Sequence, residues 1–137
     1  AYAHRFHERA AYQWDAELSV YVEEEHTGLG MGKALYHALM ELLKLQNVKN
    51  AYALVTSPNE RSEALHLGMG FRLEGLNRET GYKMGKWLDV SCFVKNIGTH
   101  ECDPDAQRVH CRVRVSVCAG IRFARHSAVC RDREGPS

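Results

Sequence analysis

The chain has 137 residues, 26% of them charged and 45% hydrophobic, with a formal net charge of +1 at pH 7, which suits one domain with a core of ordinary size. The near-neutral charge gives no electrostatic reason to expect a nucleic acid or an anionic membrane as a partner. No apolar run is long enough to span a bilayer and the first residues do not form a signal peptide, so we expect a cytoplasmic protein.

The first part of the chain predicts two strands and a helix. Residues 1–6 read as a strand, residues 7–15 as a polar and aromatic turn, and residues 17–22 as a second strand that alternates apolar and polar side chains. After a charged connector, apolar residues recur at helical spacing from Met31 to Leu42. The unit is therefore a strand, a glycine-rich loop and an amphipathic helix.

The glycine-rich loop, called here the glycine loop, comprises Gly28, Leu29, Gly30, Met31, Gly32 and Lys33. The first turn of a helix leaves backbone N–H groups unpaired and its dipole favours an anion, so the loop is a candidate pyrophosphate site. It is not a Walker A loop, because Thr27 and Ala34 replace the required first glycine and the hydroxyl, and Lys33 replaces the third glycine of a dinucleotide fingerprint. A tight turn that binds no ligand is equally compatible with these glycines.

The middle of the chain predicts a strand, a helix and a hairpin. Residues 51–56 are a short apolar segment typical of a strand, and the proline after them ends it. Asn59 is a suitable N-cap for a helix over residues 60–68. Residues 71–96 alternate well enough to predict a hairpin of two strands.

We assign residues 1–96 to the core of the domain and residues 97–137 to an extension of different character. The extension has too few apolar residues for a core of its own, so it either adds one edge strand near residues 109–117 or is disordered. Four of the five cysteines lie in it: Cys102, Cys111, Cys118 and Cys130.

An odd number of cysteines without a C-x-x-C pair argues against a disulfide framework and against a standard zinc site. A small metal module would have to combine Cys102, Cys111 and Cys118 with His100 or His110, and the spacing of these residues does not favour it. We expect no metal in this protein.

Three blocks of sequence resemble one family. Residues 27–32, TGLGMG, resemble the loop Arg/Gln-x-x-Gly-x-Gly/Ala of the GNAT superfamily of acetyl-CoA-dependent N-acetyltransferases. Residues 57–71 resemble that family's segment Asn-x-x-Ser-x-x-Leu-His/Tyr-x-x-x-Gly-Phe, and residues 81–93 resemble the closing hairpin of its phosphinothricin-type members. The blocks occur in the family's order, and together they are specific.

The resemblance implies an α/β (α+β) fold with a mixed, mostly antiparallel sheet, a central splayed strand and flanking helices. It also implies that residues 1–96 are an N-terminally truncated core, because family members begin with a further strand, helices and another strand. The implied reaction moves an acetyl group from acetyl-CoA to the primary amine of a small acceptor of the phosphinothricin or methionine sulfoximine kind. The alternative is a non-catalytic fragment that binds coenzyme A or self-associates, for example as a homodimer, through a sheet edge that the missing strands leave unpaired.

The resemblance also suggests roles for individual residues. Glu17 takes the position of the general base, and His66 that of the acid that protonates the departing thiolate. The backbone of Val20, Tyr21 and Val22 would pair with the pantetheine amides and stabilise the oxyanion. The glycine loop would bind the pyrophosphate, and Asn59 would add a contact to coenzyme A.

Four aromatic residues are candidates for the acceptor site: Tyr12, Trp14, Tyr82 and Trp87. Tyr12 and Trp14 could equally cover the edge of the core. No cysteine or serine adjoins a suitable base in the sequence, which favours direct attack by the amine over an acyl-enzyme.

Overall fold

The computed structural model describes residues 1–22, 28–106, 112–116 and 125–129. These residues form seven strands and two α-helices, with a short 3-10 helix, Ala10–Tyr12, after the first strand. The helices are α1 (Met31–Leu45) and α2 (Glu60–Gly68), and the strands are β1 (Tyr2–Arg5), β2 (Asp15–Ser19), β3 (Asn50–Ser57), β4 (Arg72–Lys83), β5 (Lys86–Asn96), β6 (Arg112–Ser116) and β7 (Arg125–Val129).

The strands form one seven-stranded sheet in the order β4-β5-β3-β2-β1-β6-β7. In the described part of the chain, β2 and β3 run parallel and the other neighbouring pairs are antiparallel. A parallel pair needs a crossover connection, and α1 supplies it between β2 and β3. The mixed, mostly antiparallel α+β fold expected from the sequence is confirmed.

The centre of the sheet is splayed. The parallel ladder between β2 and β3 has three pairs and ends where Glu17 lies opposite Tyr52, although β3 continues to Ser57. On its other side, β2 pairs with β1 up to Ser19. The strand expected over residues 17–22 therefore begins and ends earlier than predicted, because residues 20–22 have left both ladders. We call the opening between the two strands beyond this point the β2–β3 gap.

Helix α1 packs one face of the sheet as its periodicity predicts. Leu35, Leu39 and Leu43 are buried, and Leu39 is 0% exposed. They join the core cluster with residues of the strands that point to the same face, such as Ala16 and Ala53. The side chains of the opposite stripe are exposed, among them Lys33, His37, Glu41 and Lys44. Amphipathic spacing alone located this helix and its solvated face.

Helix α2 begins at a capped N-terminus. The side chain of Asn59 accepts a hydrogen bond from the backbone N–H of Ser62 at 3.1 Å. Two acidic residues, Glu60 and Glu63, lie in the first turn, where the helix dipole favours negative charge. Asn59 therefore has a structural task that does not depend on any ligand.

Replacing Asn59 by alanine is expected to lower the free energy of unfolding by about 1 kcal/mol, because the N–H of Ser62 loses its acceptor. Asn59→Asp is the matched variant, since aspartate also accepts at an N-cap. Urea denaturation of the three proteins measures the effect. A loss of the same size in both variants would mean that the cap is not what Asn59 contributes.

Residues after β5 return to the core domain. The N–H of Ile97 donates to the carbonyl of Lys49 at 2.8 Å, and the indole N–H of Trp14 donates to the carbonyl of Asp105 at 2.9 Å. Farther on, β6 pairs with β1, and the N–H of Val115 donates to the carbonyl of Ala1 at 2.8 Å. The extension is thus partly built into the sheet.

A strand occurs within the range 109–117, as the alternation predicts, but β7 lies outside it, so β6 is not the edge of the sheet. The expectation of an unpaired edge at β1 is wrong, because β6 occupies that side. Long-range pairing of this kind carries no local sequence signal. In the described residues, no helix is long and apolar enough to cross a membrane.

Candidate functional site

The β2–β3 gap opens next to the segment that follows β2. Val20 and Val22 are half-buried and pack against the core cluster, whereas Tyr21 is 74% exposed. Beyond the pair of Glu17 and Tyr52, the described residues contain no further ladder pair between the two strands. Backbone groups on this side of β2 can therefore accept an extended molecule as an additional strand would.

The N-terminus of α1 presents free backbone donors. Gly30 is the N-cap, with φ of 76°, and the first hydrogen bond of this helix runs from the N–H of Ala34 to the carbonyl of Gly30 at 3.1 Å. The N–H groups of Met31, Gly32 and Lys33 precede that bond and lack acceptors within the helix. A Cβ atom built at Gly28 or Gly30 would meet no described atom within 4 Å.

The gap and the helix N-terminus lie side by side. A Cβ atom added to Gly32 would lie 3.7 Å from Leu65 Cδ2 and 3.8 Å from Val22 Cγ2. Val22 ends the segment beside the gap, and Leu65 belongs to α2, so three parts of the chain converge here. The backbone groups beside the gap and the free donors of the helix N-terminus are therefore near each other, which is favourable for an extended amide chain that ends in phosphates.

Glu17 lies on the face of the sheet opposite α1, at the start of the gap. Its carboxylate is 21% exposed, and Oε2 lies 3.5 Å from Nε2 of His4 on the neighbouring strand. Its charge also reaches Cys92: burial, followed by the charges of Glu74 and Glu17, raises the pKa of that thiol. Glu17 is therefore a partly shielded carboxylate that solvent and a small ligand can still reach.

His66 is buried, at 3% exposure, between the two helices. Its Nδ1–H donates to the carbonyl of Ser62 at 2.6 Å, because a carbonyl can only accept, and Nε2 then accepts from the hydroxyl of Tyr36 at 2.9 Å. The rings of Phe71 and Phe93 lie 5.4 and 5.5 Å from the imidazole. A direct acid role for His66 would require one of these two hydrogen bonds to break.

Burial lowers the pKa of His66 below its ordinary 6.5, and the hydrogen bond to Ser62 offsets part of this effect. The folded state therefore binds this proton less readily than the unfolded state. The neutral imidazole of His66 contributes fully to stability at pH values above the pKa that it has in the unfolded state. This contribution is lost as the pH falls through its lower pKa in the folded state. The wild-type protein should lose stability on acidification from pH 7.5 to 5 more steeply than His66→Gln.

Urea denaturation at the two pH values measures this difference, with His37→Gln as the matched control, since His37 is exposed on α1. The control should keep the wild-type pH dependence. Equal pH dependence in the wild-type protein and in His66→Gln would show that the buried imidazole does not titrate with unfolding.

Cys92 lies on β5, two residues from Val94, which shares a row across the sheet with Tyr52 and Glu17. Its raised thiol pKa keeps it protonated near neutral pH, and only a thiolate is a good nucleophile. This agrees with direct attack rather than an acyl-cysteine intermediate.

The first two predicted acceptor residues lie near the start of β2. Tyr12 is exposed and packs against His7, with ring centroids 5.0 Å apart. Trp14 is half-buried, and its indole is fixed by the hydrogen bond to Asp105. Trp14 therefore holds the extension against the core, whereas Tyr12 remains accessible.

The other two, Tyr82 and Trp87, contact each other at the tip of the β4–β5 hairpin, with ring centroids 5.1 Å apart. The row of Glu17 and Tyr52 meets β5 at Val94, seven residues from Trp87. At ~3.3 Å per residue, Trp87 lies roughly 23 Å from that row. The structure does not bring this pair to Glu17 within one chain.

Sequence reasoning missed three residues that adjoin the site: His4, Tyr36 and Tyr52. Tyr36 follows Leu35 in the apolar stripe of α1, so the helical period could have located it. His4 and Tyr52 flank Glu17 on the two neighbouring strands, and only the strand register reveals this. Burial, followed by the charges of Glu17 and Tyr21, raises the pKa of Tyr36, so its hydroxyl stays protonated.

Among residues 1–22, 28–106, 112–116 and 125–129, no group of three His, Cys, Asp or Glu side chains could hold a metal ion. His100 instead contacts the side chain of Asn50, at 2.9 Å, and Cys102 is exposed. His110, Cys111 and Cys118, which the metal module would need, lie outside the described residues.

Comparison with known proteins gives one consistent picture. A model of the acetyltransferase (GNAT) domain family matches residues 1–92. An N-acetyltransferase from Streptomyces griseus is 40% identical over 102 residues, which are 74% of this chain and 53% of that protein. Phosphinothricin N-acetyltransferase from Streptomyces viridochromogenes is 40% identical over 96 residues, which are 70% of this chain and 52% of that protein.

The fold matches solved structures as well. A phosphinothricin acetyltransferase of the GNAT superfamily from Sinorhizobium meliloti, solved in complex with acetyl-CoA, superposes with a TM-score of 0.66 at 35% identity, covering 70% of this chain and 52% of that chain. The chain spans about half the length of the curated relatives it matches.

Proposed function

The chain belongs to the GNAT acetyltransferase family, and from this premise we propose that it transfers an acetyl group from acetyl-CoA to the primary amine of a small, amino-acid-like acceptor. The observation that carries the proposal is the β2–β3 gap with the N-terminus of α1 beside it. Backbone donors at the two places suit the pantetheine amides and the pyrophosphate of one ligand.

The backbone of Val20, Tyr21 and Val22 binds the pantetheine arm, and an N–H group there stabilises the oxyanion that forms on the thioester carbonyl. The N–H groups of the glycine loop bind the pyrophosphate. Because α2 adjoins this loop through Leu65, Asn59 fixes the start of the helix that borders the ligand.

Glu17 acts as the general base. The acceptor arrives as an ammonium ion, and Glu17 removes one proton, directly or through a water molecule, so that nitrogen has a free lone pair. The lone pair forms a C–N bond at the carbonyl carbon, the C–S bond breaks, and the second proton that nitrogen loses on becoming an amide neutralises the thiolate of coenzyme A. No step uses Cys92 as a nucleophile, which agrees with its raised pKa.

The acceptor is of the phosphinothricin or methionine sulfoximine kind. The likeness to the phosphinothricin acetyltransferases from Streptomyces viridochromogenes and Sinorhizobium meliloti supports this part of the proposal. Because Glu17 lies on the face of the sheet that α1 does not cover, the amine of the acceptor must approach from that face.

Two measurements on the full chain test the proposal. Calorimetric titration with acetyl-CoA tests binding, and release of free thiol over a panel of primary amines, including phosphinothricin and methionine sulfoximine, tests transfer. We expect binding together with amine-dependent thiol release. Binding without release on any amine would favour a non-catalytic protein that binds coenzyme A, and absence of binding would refute the proposal.

A further inference from the structure

His4 and Glu17 face each other across β1 and β2. They are register partners, and both point to the face of the sheet that α1 leaves uncovered. Nε2 of His4 lies 3.5 Å from Oε2 of Glu17. This distance allows an ion pair but is long for a hydrogen bond, so the contact depends mainly on charge.

The remaining polar contacts of His4 are few. Its Nδ1 is buried and has no hydrogen-bond partner among the described residues. Its ring lies 6.1 Å from that of Tyr2, which stacks in turn on Tyr21. The side chain is 37% exposed, so it can exchange protons with solvent.

Other charged groups on the strands around His4 and Glu17 are Arg72 and Glu74 on β4, which pair with each other at 3.5 Å, and Arg114 on β6, the register partner of Tyr2. Tyr21 and Cys92 stay protonated near neutral pH, because the hydrogen bond with Tyr2 raises the pKa of Tyr21 and burial raises the pKa of Cys92. Tyr36 on the other face also stays neutral. Asp15, two residues before Glu17 on β2, accepts a hydrogen bond from Asn50 at 2.7 Å. Among the described residues, His4 is the titratable group that the structure places in ion-pair contact with Glu17.

We propose that His4 is a positioning residue for Glu17, holding the carboxylate by charge and making its action as a base depend on pH; this rests on the proposed function. When His4 is protonated, the ion pair holds Glu17 and opposes uptake of a proton from the acceptor. When His4 is neutral, the carboxylate is released to act. Histidine is suited to this task because its charge changes between pH 5 and 8.

The kinetic test compares kcat/KM at pH 8 and pH 6 in the wild-type protein, in His4→Gln and in the control His37→Gln. For histidines in general, with an ordinary pKa of about 6.5, the neutral fraction rises roughly fourfold between pH 6 and pH 8, which sets the size of the effect to look for. His4→Gln should lose most of that factor, because glutamine keeps the size and polarity of the side chain but does not titrate. The control should keep the wild-type ratio, and a purely structural role of His4 would leave the ratio unchanged in both variants.

A second readout needs no activity. The imidazole signal of His4 is followed by NMR as a function of pH in the wild-type protein and in Glu17→Gln. Loss of the neighbouring carboxylate should move the midpoint of the His4 titration to lower pH. If no protein turns over acetyl-CoA, the proposed function fails while this titration still tests the contact. An unchanged midpoint, or an unchanged kinetic ratio in an active His4→Gln, overturns the proposal.

Discussion

Glu17→Gln is expected to lower kcat by about 10²- to 10⁴-fold, the usual contribution of a general base. Glutamine keeps the size of the side chain and its place beside the β2–β3 gap, but it cannot accept a proton from the ammonium ion. The affinity for acetyl-CoA should be retained, because the backbone groups that bind it are unaltered. The loss should shrink at high pH, where the acceptor amine gives up its proton without help.

Glu41→Gln is the matched control, because Glu41 is exposed on α1 and its carboxylate pairs with Lys44 at 2.7 Å, away from the gap. It should keep the wild-type kcat. Steady-state kinetics under saturating acetyl-CoA separate the two variants. A Glu17→Gln protein whose kcat stays within about threefold of the wild type would exclude Glu17 as the base.

Gly30→Val is expected to weaken acetyl-CoA binding by at least about tenfold. Gly30 has φ of 76°, a left-handed conformation that costs other residues about 1–2 kcal/mol and suits β-branched residues least. When the backbone relaxes this strain, the first N–H groups of α1 no longer point in a common direction and bind the ligand less well. A loss of 1.4 kcal/mol in binding corresponds to about tenfold in affinity.

Gly85→Val provides a control with the same strain at a distant position. Gly85 has φ of 76° in the turn between β4 and β5, and a Cβ atom there would also meet no described atom within 4 Å. It should lose stability as Gly30→Val does, while its affinity for acetyl-CoA stays at the wild-type value. Equal affinities of the two variants would show that the glycine loop does not bind the ligand.

Local patterns predicted most of the secondary structure. The 3.6-residue period located α1, and Asn59 with the preceding proline located α2, because caps and periodicity act over a few residues. Residues 20–22 alternate like a strand but lie outside both ladders, since the extent of a strand depends on its partners. The pairing of β6 with β1 joins residues more than 100 positions apart, for example Ala3 and Val113, and no local pattern reveals it.

The candidate site was predictable where its chemistry lies in the backbone. The glycines marked the N-terminus of α1, and the alternation at Glu17 placed its carboxylate on the polar face of β2. The partners of the two predicted catalytic side chains were not predictable. His4 meets Glu17 only through strand register, and Tyr36 meets His66 only through the packing of α1 against α2. The sequence also could not show that Tyr82 and Trp87 lie far from Glu17, because that distance is set by the tertiary structure.

Hydrogen exchange with and without saturating acetyl-CoA tests the central claim most directly, because the claim concerns particular backbone amides. We predict slower exchange for the amides of residues 20–22, beside the gap, and of residues 28–33, at the start of α1, while the turn at residues 83–86 is unchanged. Tight binding of acetyl-CoA that leaves both of these segments unprotected would contradict the account.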